Sequence, residues 1–525
     1  MHLAEIRDLD GPNLFMLCPA IKVELVLDDG ESERDIAGRL ATPPTDLLDA
    51  SRSFISKICR AHQAPEPVVV VRQMDDPANV SIAFSWHRRG FAMAIAQSMA
   101  DRILGVVDDN AIVHLALSLQ RTDPDDLPTL IADRDRSALA IAVTGTNGKT
   151  TTTRLMAHIM RSAGFRTGWN SSSGIYIEGE LIEAGDYSGP SGARRILEDS
   201  SVQAAVLETA RGGILLRGLG YEHNDVSVFT NVSADHLDLQ GVRTLETLAE
   251  VKSVVCRVTR RAGRVVVNAD DLLVMSSTAG VAAPRVLVTQ RSDNADVLDH
   301  LGRGGEAIIA DLDEIVVRNG PDVVAVFALS EIPLTHGGKA RHMVENAMCA
   351  IGAAIGAGVG VAVLRQSLRT FQNDSVLNPG RLNVYKFDDR SVVLDFAHNE
   401  AGLKHLIEFG KHDLGPDGRL ITIIGTAGDR TDESLRELGR LAAKTSDIVI
   451  AKGTTHYLRG RTLENLMALY REGAAEHSST RYLESESEVT AFEDALAESG
   501  VGDVIVIMAQ EHLPELIARL ERLMD

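Results

Sequence analysis

At 525 residues the chain is too long for one ordinary hydrophobic core, so about three domains are expected. Its net charge of −21 excludes nucleic acid and anionic membranes as partners, because neither is attracted to so negative a field. Hydrophobic content of 44% against 24% charged residues describes a soluble globular protein.

Residues 1 to 137 alternate strand-like runs (Ile21 to Leu27, Val68 to Val71, Val80 to Phe84) with helical ones such as Phe91 to Leu104, a pattern that predicts a small α+β unit. Trp86-His-Arg-Arg89 reads as a solvated helix start rather than a basic contact patch. The acidic, proline-bearing stretch from Thr122 to Pro128, followed by Asp133-Arg-Asp-Arg136, reads as a linker.

The next stretch organises everything after it. The apolar run from Leu139 to Thr144 leads into Gly145, Thr146, Asn147, Gly148, Lys149, Thr150 and Thr151, and then into a helix with a stripe of Leu155, Met156, Ile159 and Met160, stopped near Gly164. Strand, glycine turn and helix N-terminus together predict a phosphate cradle: backbone N–H groups face the anion, Lys149 adds a point charge, and the Thr150 hydroxyl is placed for a phosphate-bound Mg²⁺. Val143 stands where the common eight-residue form has glycine, so only the shorter Gly-x-x-Gly-Lys-Thr version matches.

Three further strand-like runs follow, Val202 to Leu207, Asp225 to Thr230 and Arg264 to Val267, each with polar chemistry at its carboxyl end. In a doubly wound parallel sheet those ends converge on one crevice. Glu208 supplies an oxygen ligand suited to a hard dication. Asp235 and His236 read in isolation as a cap and a core histidine, but beside the loop and Glu208 they read as site residues. Lys252, from its position on a helix with Leu248, Val251 and Val255, reads as a surface lysine, and Asn268-Ala-Asp270-Asp271 as a turn. Residues 285 to 335 alternate apolar and polar side chains and predict hairpins on one sheet edge, followed by a helix from His342 to Ala357. After Asn378-Pro-Gly-Arg381 a second strand and helix series begins, with strands at Val392 to Phe396, Leu420 to Ile424, Ile448 to Ala451 and Val504 to Met508. The fold class expected is therefore α/β: a central doubly wound parallel-sheet domain with a phosphate loop (138–377), a C-terminal Rossmann-like α/β domain (378–525), and the small α+β domain (1–137) before them.

Cys18, Cys59, Cys256 and Cys349 lack metal-ligand spacing and read as reduced core thiols. The start of the chain shows no basic-then-apolar leader, and the apolar stretch from Cys349 to Leu364 is too short to cross a bilayer, so a cytoplasmic protein is expected.

Taken in order, Gly145-Thr-Asn-Gly-Lys-Thr150, Glu208, Thr230-Asn-Val-Ser-Ala-Asp-His236, Lys252, Asn268-Ala-Asp-Asp271, Pro379-Gly-Arg381 and Asp395-Phe-Ala-His398-Asn399 resemble the Mur ligase family of ATP-dependent amide ligases, over residues 138 to 525. Leu207-Glu-Thr-Ala-Arg-Gly-Gly-Ile-Leu, Val251-Lys-Ser-Val-Val, Gly428-Asp-Arg-Thr-Asp-Glu433 and Arg459-Gly-Arg461 are similar to its cyanophycin synthetase branch, as are Asp10-Gly-Pro-Asn13 and the Ala83 to Arg89 region. The ATP-grasp module of that branch has no counterpart between residue 105 and the phosphate loop, which implies a single ligation rather than alternating additions. The resemblance implies an acyl-phosphate mechanism and assigns roles. Lys149 and Thr150 hold the phosphates and Mg²⁺; Glu208 and His236 ligate metal at two sites; Lys252 is carbamylated. Asn268 faces adenine with Asp271 supporting its loop, Arg381 reaches the phosphates and Asp395 the ribose. His398, Asn399, Arg459 and Arg461 are substrate-side candidates, the two arginines as readers of a carboxylate or as an exposed basic turn. The implied partners are ATP, a carboxylate acceptor, an amino acid or amine, and further copies of the chain as a homo-oligomer. An ATPase or kinase on the same loop, and a nucleotide-binding scaffold without catalysis, are the alternative readings.

Overall fold

The computed structural model describes residues 1–41, 46–107, 126–234, 240–454, 456–477 and 479–524. Near the N-terminus, β1 (His2–Leu9), β2 (Ala20–Val26), β3 (Val69–Gln73) and β4 (Asn79–Ser85) form an antiparallel sheet in the order β1-β2-β4-β3. Alternation along β2 and β4 turns Ile21, Val23, Leu25, Ile82 and Phe84 onto one core, where they meet Phe54, Ile58, Ile95 and Met99 of the helices Leu47–Ala61 and Arg89–Ile103. Arg89 opens the second of these helices, which accords with the helix-start reading of Trp86 to Arg89.

Asp10-Gly-Pro-Asn13 is a docking loop. Asp10 N donates to the Arg217 carbonyl and Leu219 N to the Pro12 carbonyl, both at 2.8 Å, and a Cβ at Gly11 would sit 1.9 Å from the Leu219 carbonyl oxygen. Only glycine allows so close an approach of two backbones. The expected linker is partly a correction: residues 122 to 125 lie outside the described ones, but Asp133 to Arg136 is pinned rather than loose. Arg136 bonds Asp225 at 2.9 Å, and Arg260 pairs with Asp133 and Asp225 at 3.0 and 2.7 Å.

The central sheet has eleven strands in the order β15-β14-β13-β12-β11-β10-β5-β9-β6-β7-β8. Its middle is parallel, from β13 (Glu306–Asp311) through β12 (Arg285–Thr289), β11 (Thr259–Asn268), β10 (Asn224–Phe229), β5 (Leu139–Thr144) and β9 (Ala204–Glu208) to β6 (Thr167–Ser171). β5 and β9 are buried on both faces, as parallel strands covered by helices must be. The hairpins expected within 285 to 335 are present at one sheet edge, where β13, β14 (Glu314–Asn319) and β15 (Asp322–Ala328) pair antiparallel in succession. β12 and β13 continue the parallel sheet, and only β14 and β15 turn back on it; a second antiparallel pair, β7 (Gly174–Ile177) and β8 (Glu180–Ala184), closes the opposite edge.

The helix Lys149–Ser162 packs on the sheet beside the helix Arg341–Gly356; Leu155, Met156, Ile159 and Met160 are fully buried, and Gly164 takes a φ of +88° just past its end. The last sheet runs β16-β17-β21-β18-β19-β20, where β16 (Asn383–Phe387) is antiparallel to β17 (Arg390–Asp395), and β18 (Leu420–Ile424), β19 (Ile448–Lys452), β20 (Arg481–Ser485) and β21 (Val504–Met508) are parallel. The segment leading into it is held by amide side chains: Asn378 donates to Asn373 at 2.8 Å, and Gly380 N donates to Asn383 at 2.7 Å. All four cysteines are free thiols, and among the described residues no helix is long and apolar enough to cross a membrane.

Candidate active site

The carboxyl ends of β5, β9, β10, β11 and β17 carry Gly145, Glu208, Thr230, Asn268 and Asp395 toward the junction of the two α/β lobes. A cleft of about 460 Å³ opens there. Its lining includes Thr146, Asn147, Gly148, Lys149, Thr150, Thr151, Glu208 and Lys252 from the central lobe, and Arg381, Asp395, His398 and Arg459 from the last one.

The loop is shaped by two glycines. Gly145 has φ +147° and Gly148 φ +84°; a Cβ on Gly145 would meet the Thr230 hydroxyl at 1.9 Å and one on Gly148 the Asn346 side chain at 2.1 Å. Asn231 braces the turn, accepting Asn147 N at 2.9 Å while its own carbonyl accepts Thr146 N at 2.8 Å. Lys149 folds back onto the Thr146 carbonyl at 2.8 Å, and Lys252 donates to the Gly145 carbonyl at 2.7 Å. Lys252 is thus no surface lysine: it is 4% exposed.

Glu208 is 2% exposed and accepts the Thr150 hydroxyl on one oxygen at 3.1 Å, while its Oε2 has no hydrogen-bond partner among the described residues. Burial pushes its carboxyl above the usual carboxylate range, against the pull of Lys149 and Arg381. A buried carboxylate oxygen without a donor fits a hard cation, which neutralises the charge and takes the open lone pair.

Two side chains of the last lobe reach across. Arg381 donates to the Thr150 hydroxyl at 3.3 Å with its guanidinium 4.7 Å over the Phe396 ring, and Asn399 donates to Asn147 at 3.2 Å while capping the helix Glu400–Lys411 through Gly402 N at 2.9 Å. Asp395 accepts Leu382 N at 2.8 Å, and burial raises its pKa to about 6. His398 lines the cleft with Nδ1 3.0 Å from the Phe396 carbonyl.

Asn268 and Asp271 shape the neighbouring loop. Asn268 is 4% exposed and accepts Asp270 N at 3.0 Å; Asp271 caps the helix Leu272–Ser277 and accepts Val232 N at 2.7 Å. The two C-terminal arginines differ. Arg459, at φ +48°, lines the cleft and bonds Asp429 at 3.2 Å, whereas Arg461 lies off the cleft and ties the Gly428 and Arg430 carbonyls to Asp432. His236 and Asp235 lie outside the described residues.

Some cleft residues carried no sequence signal. Ser172 and Ser188 line the side near Glu208, beside Arg211 of the Leu207 to Leu215 motif, and Glu345 with Asn346 project from the helix Arg341–Gly356. Glu345 accepts Asn231 at 3.0 Å, and burial raises its pKa to about 7. Arg154, 8% exposed, joins the phosphate-loop helix to the interlobe segment through the Pro379 carbonyl at 3.2 Å and Ser173 at 2.9 Å. Outside the cleft, Asp133, Glu222 and His223 are close enough to share a metal, but Arg136 and Arg260 already neutralise Asp133.

Residues 143–354 match the Mur ligase middle domain and residues 380–510 the Mur ligase glutamate ligase domain. The chain is 38% identical over 380 residues to cyanophycin synthetase of Crocosphaera subtropica, an alignment covering 72% of this chain and 42% of that one. It therefore spans less than half the length of that relative. It is 28% identical over 514 residues to UDP-N-acetylmuramoyl-L-alanyl-D-glutamate--2,6-diaminopimelate ligase of Corynebacterium efficiens, covering 93% of this chain and 91% of that one. A bifunctional folylpolyglutamate synthase/dihydrofolate synthase solved with Mn, AMPPNP and L-glutamate bound shares the fold, with a TM-score of 0.55 at 19% identity over 74% of this chain and 91% of that one. With both lobes matched and the glycine loop at their junction, the chain belongs to the Mur ligase family.

Proposed function

We propose that the chain is an ATP-dependent carboxylate–amine ligase that activates its acid as an acyl phosphate. One observation carries the reading: Arg381 of one lobe and the buried Glu208 of the other converge on the hydroxyl of Thr150, the residue after the loop lysine. That arrangement suits a transferring phosphoryl group, which needs charge neutralisation and alignment more than covalent help. ATP and a divalent cation accord with the Mn and AMPPNP bound by the folylpolyglutamate synthase.

In this mechanism Gly145 to Thr151 cradle the phosphates, Lys149 swings from the Thr146 carbonyl to them, and Arg381 draws charge off the γ-phosphoryl as the acid attacks. Asn268 faces the base, with Asp395 the ribose partner. Thr150, Glu208 and His236 would hold Mg²⁺, which supplies Lewis-acid neutralisation of the phosphates. Two metal sites, with Lys252 carbamylated beside them, complete the proposal. The amine then attacks the acyl phosphate, the tetrahedral intermediate collapses, and inorganic phosphate leaves. His398, Asn399 and Arg459 stand on the substrate side; Arg461 supports their loop. We assign the lobes to residues 138–377 and 378–525 and the N-terminal unit to 1–137.

The test is a phosphate-release screen of carboxylates and amines, including amino acids and short peptides, with ATP and Mg²⁺. Release only when an acid and an amine are both present is expected. Release with neither would make the protein an ATPase; phosphorylation of one substrate without amide formation would make it a kinase; nucleotide binding without turnover on any pair would leave a scaffold.

A further inference from the structure

The β3–β4 hairpin of the N-terminal unit puts no residue into the cleft, yet it grips the helix that carries Lys252. Arg72 meets Glu250 with two guanidinium nitrogens, each at 2.7 Å. Asp75 accepts Arg243 N at 2.6 Å, Thr244 N at 2.9 Å and the Thr247 hydroxyl at 2.6 Å. Thr244 is the helix's own N-cap, accepting Thr247 N at 3.2 Å, so Asp75 adds a second capping group from another domain. Its negative charge also complements the positive end of the helix Leu245–Arg257. Met74 is buried in the same core as Leu248, Val251 and Val255.

Lys252 lies about two turns along that helix. Its Nζ reaches the Gly145 carbonyl, and a shift of the helix along its axis would carry it off the glycine loop. Glu250, one of the clamp's two anchors, lies two positions before Lys252 on the same helix, with the buried Val251 between them. Burial pushes the Asp75 carboxyl upward, but the Thr247 hydroxyl and the two backbone N–H groups outweigh it, so it is held below the usual carboxylate range.

We infer that the β3–β4 hairpin is a positioning device for Lys252: Asp75 and Arg72 set where the helix Leu245–Arg257 begins and so how Lys252 meets the phosphate loop. Asp75 and Arg72 are positioning residues, since neither touches the cleft. The kinetic half of this inference rests on the ligase reading; the structural half does not.

The experiment uses the full chain and four variants: Asp75→Ala, Arg72→Glu, Glu250→Arg, and the last two combined. Asp75→Ala and Arg72→Glu are expected to lower kcat about tenfold while ADP affinity stays within about twofold, because the phosphate loop itself is intact. Amide hydrogen exchange is expected to quicken in residues 244–252 and not in the C-terminal sheet. The combined swap restores the ion pair with reversed polarity and should recover kcat to within about twofold of the parent. Unchanged kcat and exchange in Asp75→Ala and Arg72→Glu would overturn the inference. So would a swap that rescues nothing, or exchange that quickens uniformly, which would mean general destabilisation. Were the parent chain to form no amide with any substrate pair, the ligase reading would fall, and the exchange data would still decide the clamp: local quickening upholds it and no change rejects it.

Discussion

Glu208, buried, and Glu345, half-buried, are both carboxylates of the cleft, and their surroundings give them different chemistry. Glu208 faces Lys149 and Arg381, and one of its oxygens has no hydrogen-bond partner among the described residues, which suits it to the cation proposed above. Glu208→Gln should lower turnover by about 100-fold or more by weakening the metal-bound phosphates, while the melting temperature of the nucleotide-free protein does not fall. Phosphate release and thermal melting measured on one preparation would check both halves. Glu345 faces Asp270 and Asp271 as well as Asn231, and its pKa of about 7 is set first by burial. Its folded pKa lies above the unfolded value of about 4.3, so the folded state holds the extra proton between those limits. The stability it contributes is complete below the unfolded pKa and is lost as pH rises through about 7. Glu345→Gln should therefore raise the melting temperature at pH 8 and change it little at pH 5. Glu208 was legible because it ends a strand next to the glycine loop; Glu345 was not, because a lone glutamate on a helix gives no hint that its face looks into a cleft.

At the level of the element, the strand, loop and helix from Leu139 to Ser162 form one device. The helix starts at Lys149, and its first residues, Thr150 to Thr153, are buried along with its apolar stripe. Sequence periodicity predicted that stripe, but not that the polar side of the first turn is covered as well, by the lobes and the helix Arg341–Gly356. Gly148 shows the consequence. Alanine there would have to hold φ near +84° and displace the Asn346 side chain, at a cost of about 1–3 kcal/mol. Gly148→Ala should weaken ADP binding at least about tenfold, measured by calorimetry, with the far-ultraviolet circular dichroism unchanged. The strands β13, β14 and β15 were legible by contrast: their pattern predicted hairpins at an edge, and each pairs antiparallel with the next.

Across the whole molecule, the cleft exists only because the two α/β lobes meet, each supplying part of its lining. Beside the Arg381 and Asn399 contacts, His342 of the central lobe and His405 of the last one stack with ring centres 5.0 Å apart. Burial pushes His342 down to about 3, with the His405 and His336 rings adding to the penalty, and burial lowers His405 too; Glu408, 3.8 Å from His405, pulls the other way and Lys404 adds to the lowering. Both folded values lie below the unfolded value of about 6.5, so this contact contributes fully above that pH and is lost as pH falls below it. The nucleotide-free protein should therefore expand on acidification from about pH 7.5 to 5.5, read as a larger radius of gyration in solution scattering, and His405→Phe should blunt the change.

The sequence by itself determined the strands β5, β9, β10 and β11 of the central lobe and β17, β18, β19 and β21 of the last, the glycine loop, and the strand-end positions of Glu208 and Asp395, because short-range periodicity and glycine geometry act within a few residues; β6 to β8, β16 and β20 carried no such pattern. Tertiary structure alone decided that Lys252 is buried against Gly145, that Arg461 braces a loop while Arg459 faces the cleft, and that Asp75 caps a helix in another domain. Those facts depend on which surfaces meet across long stretches of chain, and burial, the quantity that changes a lysine or a carboxylate from ordinary to reactive, exists only once they have met.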